Sequence, residues 1–191
     1  NYNGYGVRCF GSSDGWIKVR PLTGVPPYTY AWSGPDGFSA TTDSIYSLRE
    51  GTYTVVINDS HACSITDETT ISSPGKISVI LDIGTSLTGG FNINCNGGSD
   101  GRVQITPVNT AGSVSYLWSD GGSGPMRNNL KAGNHEVIIT DGNGCLADTT
   151  LTLTQPDSIK ISFSFTLPYC PESLDGQIIS EVTGGEPFYS Y

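Results

Sequence analysis

Apolar and polar residues alternate along most of the chain, in short runs separated by turn residues. In residues 16–20, Ile17 and Val19 fall on one face while Trp16 falls on the other. The clearest runs of this kind are residues 51–59 and 133–141. A period of two is typical of half-buried β-strands. The pattern therefore predicts an all-β chain with almost no helix.

Two of the alternating strands carry aromatic residues on a single face. Tyr30 and Trp32 lie in one strand, and Tyr116 and Trp118 lie in the other. The intervening residues are small or polar in the first strand, which favours a packed core over an exposed platform for stacking sugars. We predict that these four aromatic residues are core residues.

The strands recur in a repeat that opens with a cysteine, a four-residue spacer and an Asp-Gly pair. The three copies begin at Cys9, Cys95 and Cys170. The predicted turn residues are Asp14, Gly15, Asp100, Gly101, Asp175 and Gly176. This spacing predicts tandem immunoglobulin-like antiparallel β-sandwich repeats at residues 1–75, 76–157 and 158–191, joined by short proline-containing linkers.

The copies differ in completeness. We expect the first repeat to lack its first strand and the third to stop partway, so that both chain ends are artificial cuts. The second copy has seven extra residues, which we place in a loop or bulged strand around residues 84–90.

Charge and composition exclude several classes of function. Nine basic and eighteen acidic residues give a net charge of −9, which leaves no positive field for nucleic acid. No apolar run is long enough to span a bilayer, so we expect no membrane insertion. Five cysteines without a Cys-x-x-Cys pair argue against a zinc site and suggest disulfides formed outside the cell.

The cysteine count predicts one bridge in each complete repeat. Cys9 would pair with Cys63, and Cys95 with Cys145, leaving Cys170 without a partner in the chain. Each bridge would tie one end of its own repeat, and in the loop-entropy model it would stabilise the fold by up to about 4 kcal/mol.

The turns that follow the cysteines also contain candidate catalytic and metal-binding residues. Residues 11–15 and 97–101 match the Gly-x-Ser-x-Gly pattern of a hydrolase, but a strand follows the serine where a helix is needed. The two histidines also fall at non-equivalent positions, so we predict no enzyme. The recurring Asp-Gly pairs are interpreted as aspartate-capped turns in which glycine takes a positive φ. We expect no cofactor, and bound calcium is the alternative.

Taken together, these motifs resemble the SprB repeat of bacteroidete surface proteins. They are the Cys-x-Gly-x-x-Asp-Gly turn, the Pro-Pro-Tyr-Thr-Tyr-x-Trp-Ser segment at residues 26–33, the Leu-x-x-Gly-Thr-Tyr-Thr-Val segment at 48–55 and the Asp-x-x-x-Cys loop at 59–63. The second copy departs at Val114 and His135, where tyrosine is usual.

The resemblance implies a non-catalytic stalk and adhesive segment of a long secreted filament. Such filaments are exported by type IX secretion, attached to the outer membrane, and used in surface adhesion and gliding motility. The expected partners are neighbouring repeats of the same chain and, outside it, surface glycans or abiotic surfaces. In this group of bacteria, Ser or Thr after Asp and before an apolar residue or Thr carries O-glycans, which predicts modification at Ser44, Thr149 and Ser158.

A carbohydrate-binding module is the alternative function. It would belong to a surface-exposed bacterial enzyme or a polysaccharide-utilisation protein, with exposed Trp16 or Phe38 as the stacking residue.

Overall fold

The computed structural model describes residues 2–84, 90–186 and 188–190, and in these ranges the regular structure is almost entirely strand. Fourteen strands alternate with turns, and the only helical element among the described residues is a short 3₁₀ turn at Pro35–Gly37. The prediction of an all-β fold built from antiparallel sheets is confirmed. Of the loop expected around residues 84–90, positions 85–89 lie outside the described residues.

The first repeat is a sandwich of two antiparallel sheets. Its strands are β1 (Gly15–Lys18), β2 (Thr29–Ser33), β3 (Ser39–Ala40), β4 (Ser44–Leu48), β5 (Gly51–Asn58) and β6 (Ser64–Ile71). One sheet has the order β1-β4 and the other β3-β2-β5-β6. Inward-facing residues of both sheets share one core, as alternation requires. The core residues are Val7, Trp32, Ile45, Leu48, Tyr53, Val55, Ile57 and Ile71.

The long hairpin of the first repeat defines two opposite ends. Gly51 pairs with Ile71 at one end of β5 and β6, and Asn58 pairs with Ser64 at the other. The backbone N–H groups of Gly6 and Val7 donate to the carbonyl oxygen of Ser72 at 2.9 and 3.2 Å. The segment leading to Cys9 therefore lies at the Ile71 end.

The second repeat follows the same plan. Its strands are β7 (Ser78–Ile83), β8 (Gly101–Val108), β9 (Ser115–Trp118), β10 (Met126–Leu130), β11 (Gly133–Thr140) and β12 (Leu146–Leu153). They form sheets of order β10-β8-β7 and β12-β11-β9. Asn92 and Ile93 donate to the carbonyl oxygen of Thr154, both at 3.0 Å. The segment leading to Cys95 therefore meets the end of the last strand, as in the first repeat.

Gly15 and Gly101 open equivalent strands, but a positive φ is not the reason for glycine. Neither is among the residues with positive φ, so that part of the prediction is wrong. A Cβ on Gly15 would lie 2.9 Å from the carbonyl oxygen of Leu48, and one on Gly101 would lie 2.8 Å from that of Leu130. These glycines are needed because the neighbouring strand passes too close for a side chain.

The third repeat contributes a two-stranded antiparallel sheet. Its strands are β13 (Lys160–Thr166) and β14 (Gln177–Thr183). Ile161, Phe163 and Phe165 alternate on one face of β13 and are all exposed.

By compactness the chain divides into two units. The first contains Asn1–Val79, Pro107–Ser115 and Ile138–Ala147, and the second contains Ile80–Thr106, Tyr116–Val137 and Asp148–Tyr191. The repeat boundaries at residues 75 and 157 stay a prediction. No helix among the described residues is long and apolar enough to cross a membrane.

Candidate functional site: the cysteine turns and cysteine loops

Each repeat begins with the same hydrogen-bonded turn, which we call the cysteine turn (residues 9–15, 95–101 and 170–176). In every copy the cysteine carbonyl oxygen accepts the backbone N–H of the residue three positions on. The donors are Ser12 to Cys9 at 3.0 Å, Gly98 to Cys95 at 2.9 Å and Ser173 to Cys170 at 3.0 Å. The turn thus forms in the same way with three different spacer sequences.

The aspartate of the Asp-Gly pair closes each cysteine turn. Its carboxylate accepts the backbone N–H of the residue just before the cysteine. The pairs are Arg8 to Asp14 at 3.1 Å, Asn94 to Asp100 at 3.3 Å and Tyr169 to Asp175 at 3.2 Å. A hydrogen bond from the Ser173 hydroxyl, together with the one from Tyr169, lowers the pKa of Asp175. Each carboxylate therefore accepts the backbone N–H group that immediately precedes its own turn.

The second cysteine of each complete repeat sits in a loop organised by another aspartate, which we call the cysteine loop (residues 59–63 and 141–145). Asp59 accepts the N–H groups of His61 and Cys63, both at 2.9 Å, and that of Val25 at 3.2 Å. Asp141 does the same in the second repeat. It accepts Asn143 and Cys145, both at 2.9 Å, and Ala111 at 3.0 Å.

The two cysteine loops differ in their surroundings. Asp141 is 7% exposed and Cys145 is 8% exposed, whereas Cys63 is exposed. Hydrogen bonds from backbone N–H groups, that of Cys63 first, lower the pKa of Asp59. The two loops therefore have the same geometry but differ in how deeply their cysteines are buried.

One disulfide links a cysteine turn to a cysteine loop. Cys9 is bonded to Cys145, with Cα atoms 5.5 Å apart, and both residues belong to the first compact unit. Asn143 supports this contact, because its side-chain amide donates to the Arg8 carbonyl at 3.4 Å and accepts from Asn3 at 2.9 Å. The bridge joins the start of the first repeat to the last hairpin of the second.

The predicted pairings Cys9–Cys63 and Cys95–Cys145 are wrong. In the first repeat, Cys9 lies at the Ile71 end of the long hairpin and Cys63 lies at the Asn58 end. An eight-residue strand separates the two ends by roughly 23 Å. A disulfide requires Cα atoms within about 7 Å, so the two cysteines of one repeat cannot meet.

The same geometry separates the cysteines of the second repeat. Cys95 lies beside the end of β12, where the Gly97 N–H donates to the Gln155 side chain at 2.9 Å. Cys145 directly precedes β12. Cys63, Cys95 and Cys170 are exposed free thiols.

Of the four aromatic residues assigned to the core, the two tryptophans are buried and the two tyrosines are half-buried. The indole Nε1 of Trp32 donates to the Thr42 carbonyl at 2.9 Å, and that of Trp118 donates to the Gly124 carbonyl at 3.0 Å.

Burial raises the pKa of Tyr116. The Arg127 guanidinium lies 5.3 Å from the centre of the Trp118 ring. Its ion pair with Asp120 holds the pKa of that carboxyl well below its usual range.

The two aromatic residues proposed to stack on sugars have different environments. Phe38 is half-buried and packs edge-on against Tyr53 at 5.4 Å, so the expectation that Phe38 is exposed is wrong, while its stacking on sugars stays a prediction. Trp16 is 62% exposed and pairs across the sheet with Tyr46, which is 65% exposed. Sequence reasoning missed Tyr46, although its outward position follows from the alternation of β4.

The predicted modification and metal sites are scattered over the fold. Ser44 and Thr149 are half-buried strand residues and Ser158 is exposed, and their modification stays a prediction. Among the described residues, no three His, Cys, Asp or Glu side chains come together as metal ligands. Calcium binding stays an untested alternative.

Comparison with known proteins identifies the repeat. Residues 7–37 and 92–123 match the SprB repeat, which confirms the resemblance at these two segments. Both matches include a cysteine turn. Among curated proteins, none matches the chain. The solved structure of the amphioxus IgVJ-C2 molecule is 11% identical with a TM-score of 0.30, covering 75% of this chain and 98% of that one.

Two segments of this chain are thus SprB-type, and that repeat is a non-catalytic type of domain. It indicates a cell-surface protein with an adhesin-type repeat region.

Proposed function

We propose that this chain is a stalk segment of a long secreted filament that mediates surface adhesion and gliding at the outer membrane. The SprB-type segments support the location and the adhesin-type role. The Cys9–Cys145 bridge is the single observation that carries the stalk role, because it joins one repeat to the next covalently. A chain that must transmit force benefits from such a link, since the bonded residues cannot be pulled apart.

Single-molecule extension tests the load-bearing part of the proposal. With the bridge intact, the 136-residue separation between Cys9 and Cys145 is shielded from the pulling force. Adding a thiol reductant should lengthen the fully extended chain by roughly 450–490 Å at ~3.3–3.6 Å per residue.

The Cys145→Ser variant is the matched control and should show that extra length without reductant. A wild-type chain that reaches its full extension before reduction would contradict the stalk role.

Adhesion is tested separately with beads that carry the folded chain. We expect these beads to be retained on glass or on polysaccharide-coated surfaces under flow, and beads that carry the heat-unfolded chain to be washed away. Equal retention of both kinds of bead would rule out an adhesive role for the folded repeats.

Carbohydrate binding is the second candidate, and the exposed pair Trp16 and Tyr46 favours it. Two aromatic faces side by side on one sheet form a surface on which a sugar ring can stack. The equivalent of Trp16 is Arg102 in the second repeat and Gln177 in the third, so the surface is confined to the first. Titration with soluble oligosaccharides should change the tryptophan fluorescence of the wild type but not of Trp16→Ala. No response in either protein would exclude this function.

A further inference from the structure

We propose that the cysteine turn and the cysteine loop are complementary halves of a bridge that recurs between repeats. Cys95 is then the turn half of a second bridge, and its partner is the cysteine loop of another SprB-type repeat, such as that of Cys63 in a second copy of this chain. The inference goes beyond the stalk role and does not depend on adhesion.

The bonded pair shows which two motifs combine. Cys9 belongs to a cysteine turn and Cys145 to a cysteine loop, and they come from different repeats. Strand length keeps the turn and the loop of one repeat at opposite ends of its sandwich. Each of the first two repeats therefore has a turn cysteine at one end and a loop cysteine at the other.

The turn half is formed at Cys95 without a bonded partner. Its carbonyl accepts the Gly98 N–H at 2.9 Å, and Asp100 accepts the Asn94 N–H, as at Cys9. The thiol is exposed. Cys95 thus presents its sulfur on the same scaffold as the bonded Cys9.

A cavity of about 380 Å³ lies beside Cys95 within the second compact unit, and it is lined by residues of the second and third repeats. In the second repeat, Ala111 holds the cysteine loop through its N–H to Asp141 and through its carbonyl, which accepts Gly142 at 2.6 Å. The bonded cysteine loop is thus seated on its own repeat, and the cavity leaves open space beside the Cys95 turn.

The loop half is formed at Cys63 in the same way. Val25 is the counterpart of Ala111, and it donates to Asp59 at 3.2 Å and accepts Ser60 at 3.0 Å. The Cys63 loop therefore matches the bonded Cys145 loop in its hydrogen bonds and differs in having an exposed thiol.

Bridge formation is an oxidation that needs an electron acceptor, here oxidised glutathione. One cysteine thiolate attacks the glutathione disulfide and releases one glutathione thiolate. The second cysteine thiolate then attacks the mixed disulfide and releases the other. Two cysteine thiols lose two electrons and two protons, and one glutathione disulfide becomes two thiols.

The test uses two full-length variants, each with one free thiol. Cys63→Ser/Cys170→Ser leaves Cys95, and Cys95→Ser/Cys170→Ser leaves Cys63. In a glutathione redox buffer, the mixture should give a disulfide-linked heterodimer at least ten-fold in excess of either homodimer, with Cys95 joined to Cys63 in a non-reducing peptide map. Retention of the Cys9–Cys145 bridge verifies that both variants are folded.

A third variant separates docking from random collision of thiols. Asp59→Ala in the chain that carries Cys63 leaves the thiol exposed but removes the acceptor that organises its loop. We expect the heterodimer yield to fall at least three-fold. The proposal is overturned if homodimers form as readily as the heterodimer, if the mixture gives no heterodimer, or if Asp59→Ala leaves the yield unchanged.

Discussion

The two cysteine loops have the same hydrogen bonds, but only one of their two cysteines forms a disulfide. In each, one aspartate accepts three backbone N–H groups, two from its own loop and one from the segment before the aromatic strand. Cys145 is buried and bonded, whereas Cys63 is exposed and free. The local sequence builds the loop, and a cysteine turn from another repeat decides whether it is bridged.

The largest difference between the loops should appear when each cysteine is replaced. Cys145→Ser removes a bridge across 136 residues and should lower the free energy of unfolding by about 4–5 kcal/mol in the loop-entropy model. Cys63→Ser removes an exposed thiol and should change it by less than about 0.5 kcal/mol. Urea unfolding of the two variants measures both values. Equal destabilisation would show that Cys63 is also bridged.

Replacing the loop aspartates should also destabilise the second repeat more than the first, but the difference should be smaller than for the cysteines. Asp141→Ala leaves three N–H groups without their acceptor at a buried site and should cost about 2–3 kcal/mol. Asp59→Ala removes the same bonds where water can replace the carboxylate, so its loss should be smaller. Thermal unfolding of both variants shows which one is destabilised more, and a larger destabilisation by Asp59→Ala would contradict the difference in burial between the two loops.

The smallest expected effect is the pH dependence of stability that arises from Asp59, in the loop whose cysteine is not bonded. The pKa of Asp59 is lowered in the folded chain, so its ionised form contributes stability that is complete above the unfolded pKa near 4. That contribution is lost as the pH falls further, through the folded pKa. The stability difference between wild type and Asp59→Asn should therefore be constant near neutral pH and shrink below about pH 4. Urea titrations at several pH values measure this difference, and one that grows on acidification would contradict the assignment.

Local patterns in the sequence were sufficient to predict the strands and the two buried tryptophans. Alternation over residues 51–59 and 133–141 locates β5 and β11, because a period of two is a property of a single strand. The exposed face of Trp16 follows in the same way. The exposure of Phe38 was mispredicted because its partial burial depends on Tyr53, which lies in β5, distant in sequence.

The disulfide pairing could not be obtained from the number of cysteines in each repeat. Pairing depends on which ends of the strands lie together, and this follows from strand direction and length across the whole sandwich. The signal was present in part, since an eight-residue last strand must separate Cys63 from Pro74, which lies in the linker after that strand. The partner repeat that supplies Cys145 is visible only in the fold.

A non-reducing peptide map of the purified monomeric chain, separated from any disulfide-linked dimer, tests the central claim most directly. Digestion with thiols blocked should release one disulfide-linked pair of peptides, one containing Cys9 and the other containing Cys145, with Cys63, Cys95 and Cys170 recovered as blocked thiols. Peptides linking Cys9 to Cys63 and Cys95 to Cys145 would contradict the bridge between repeats.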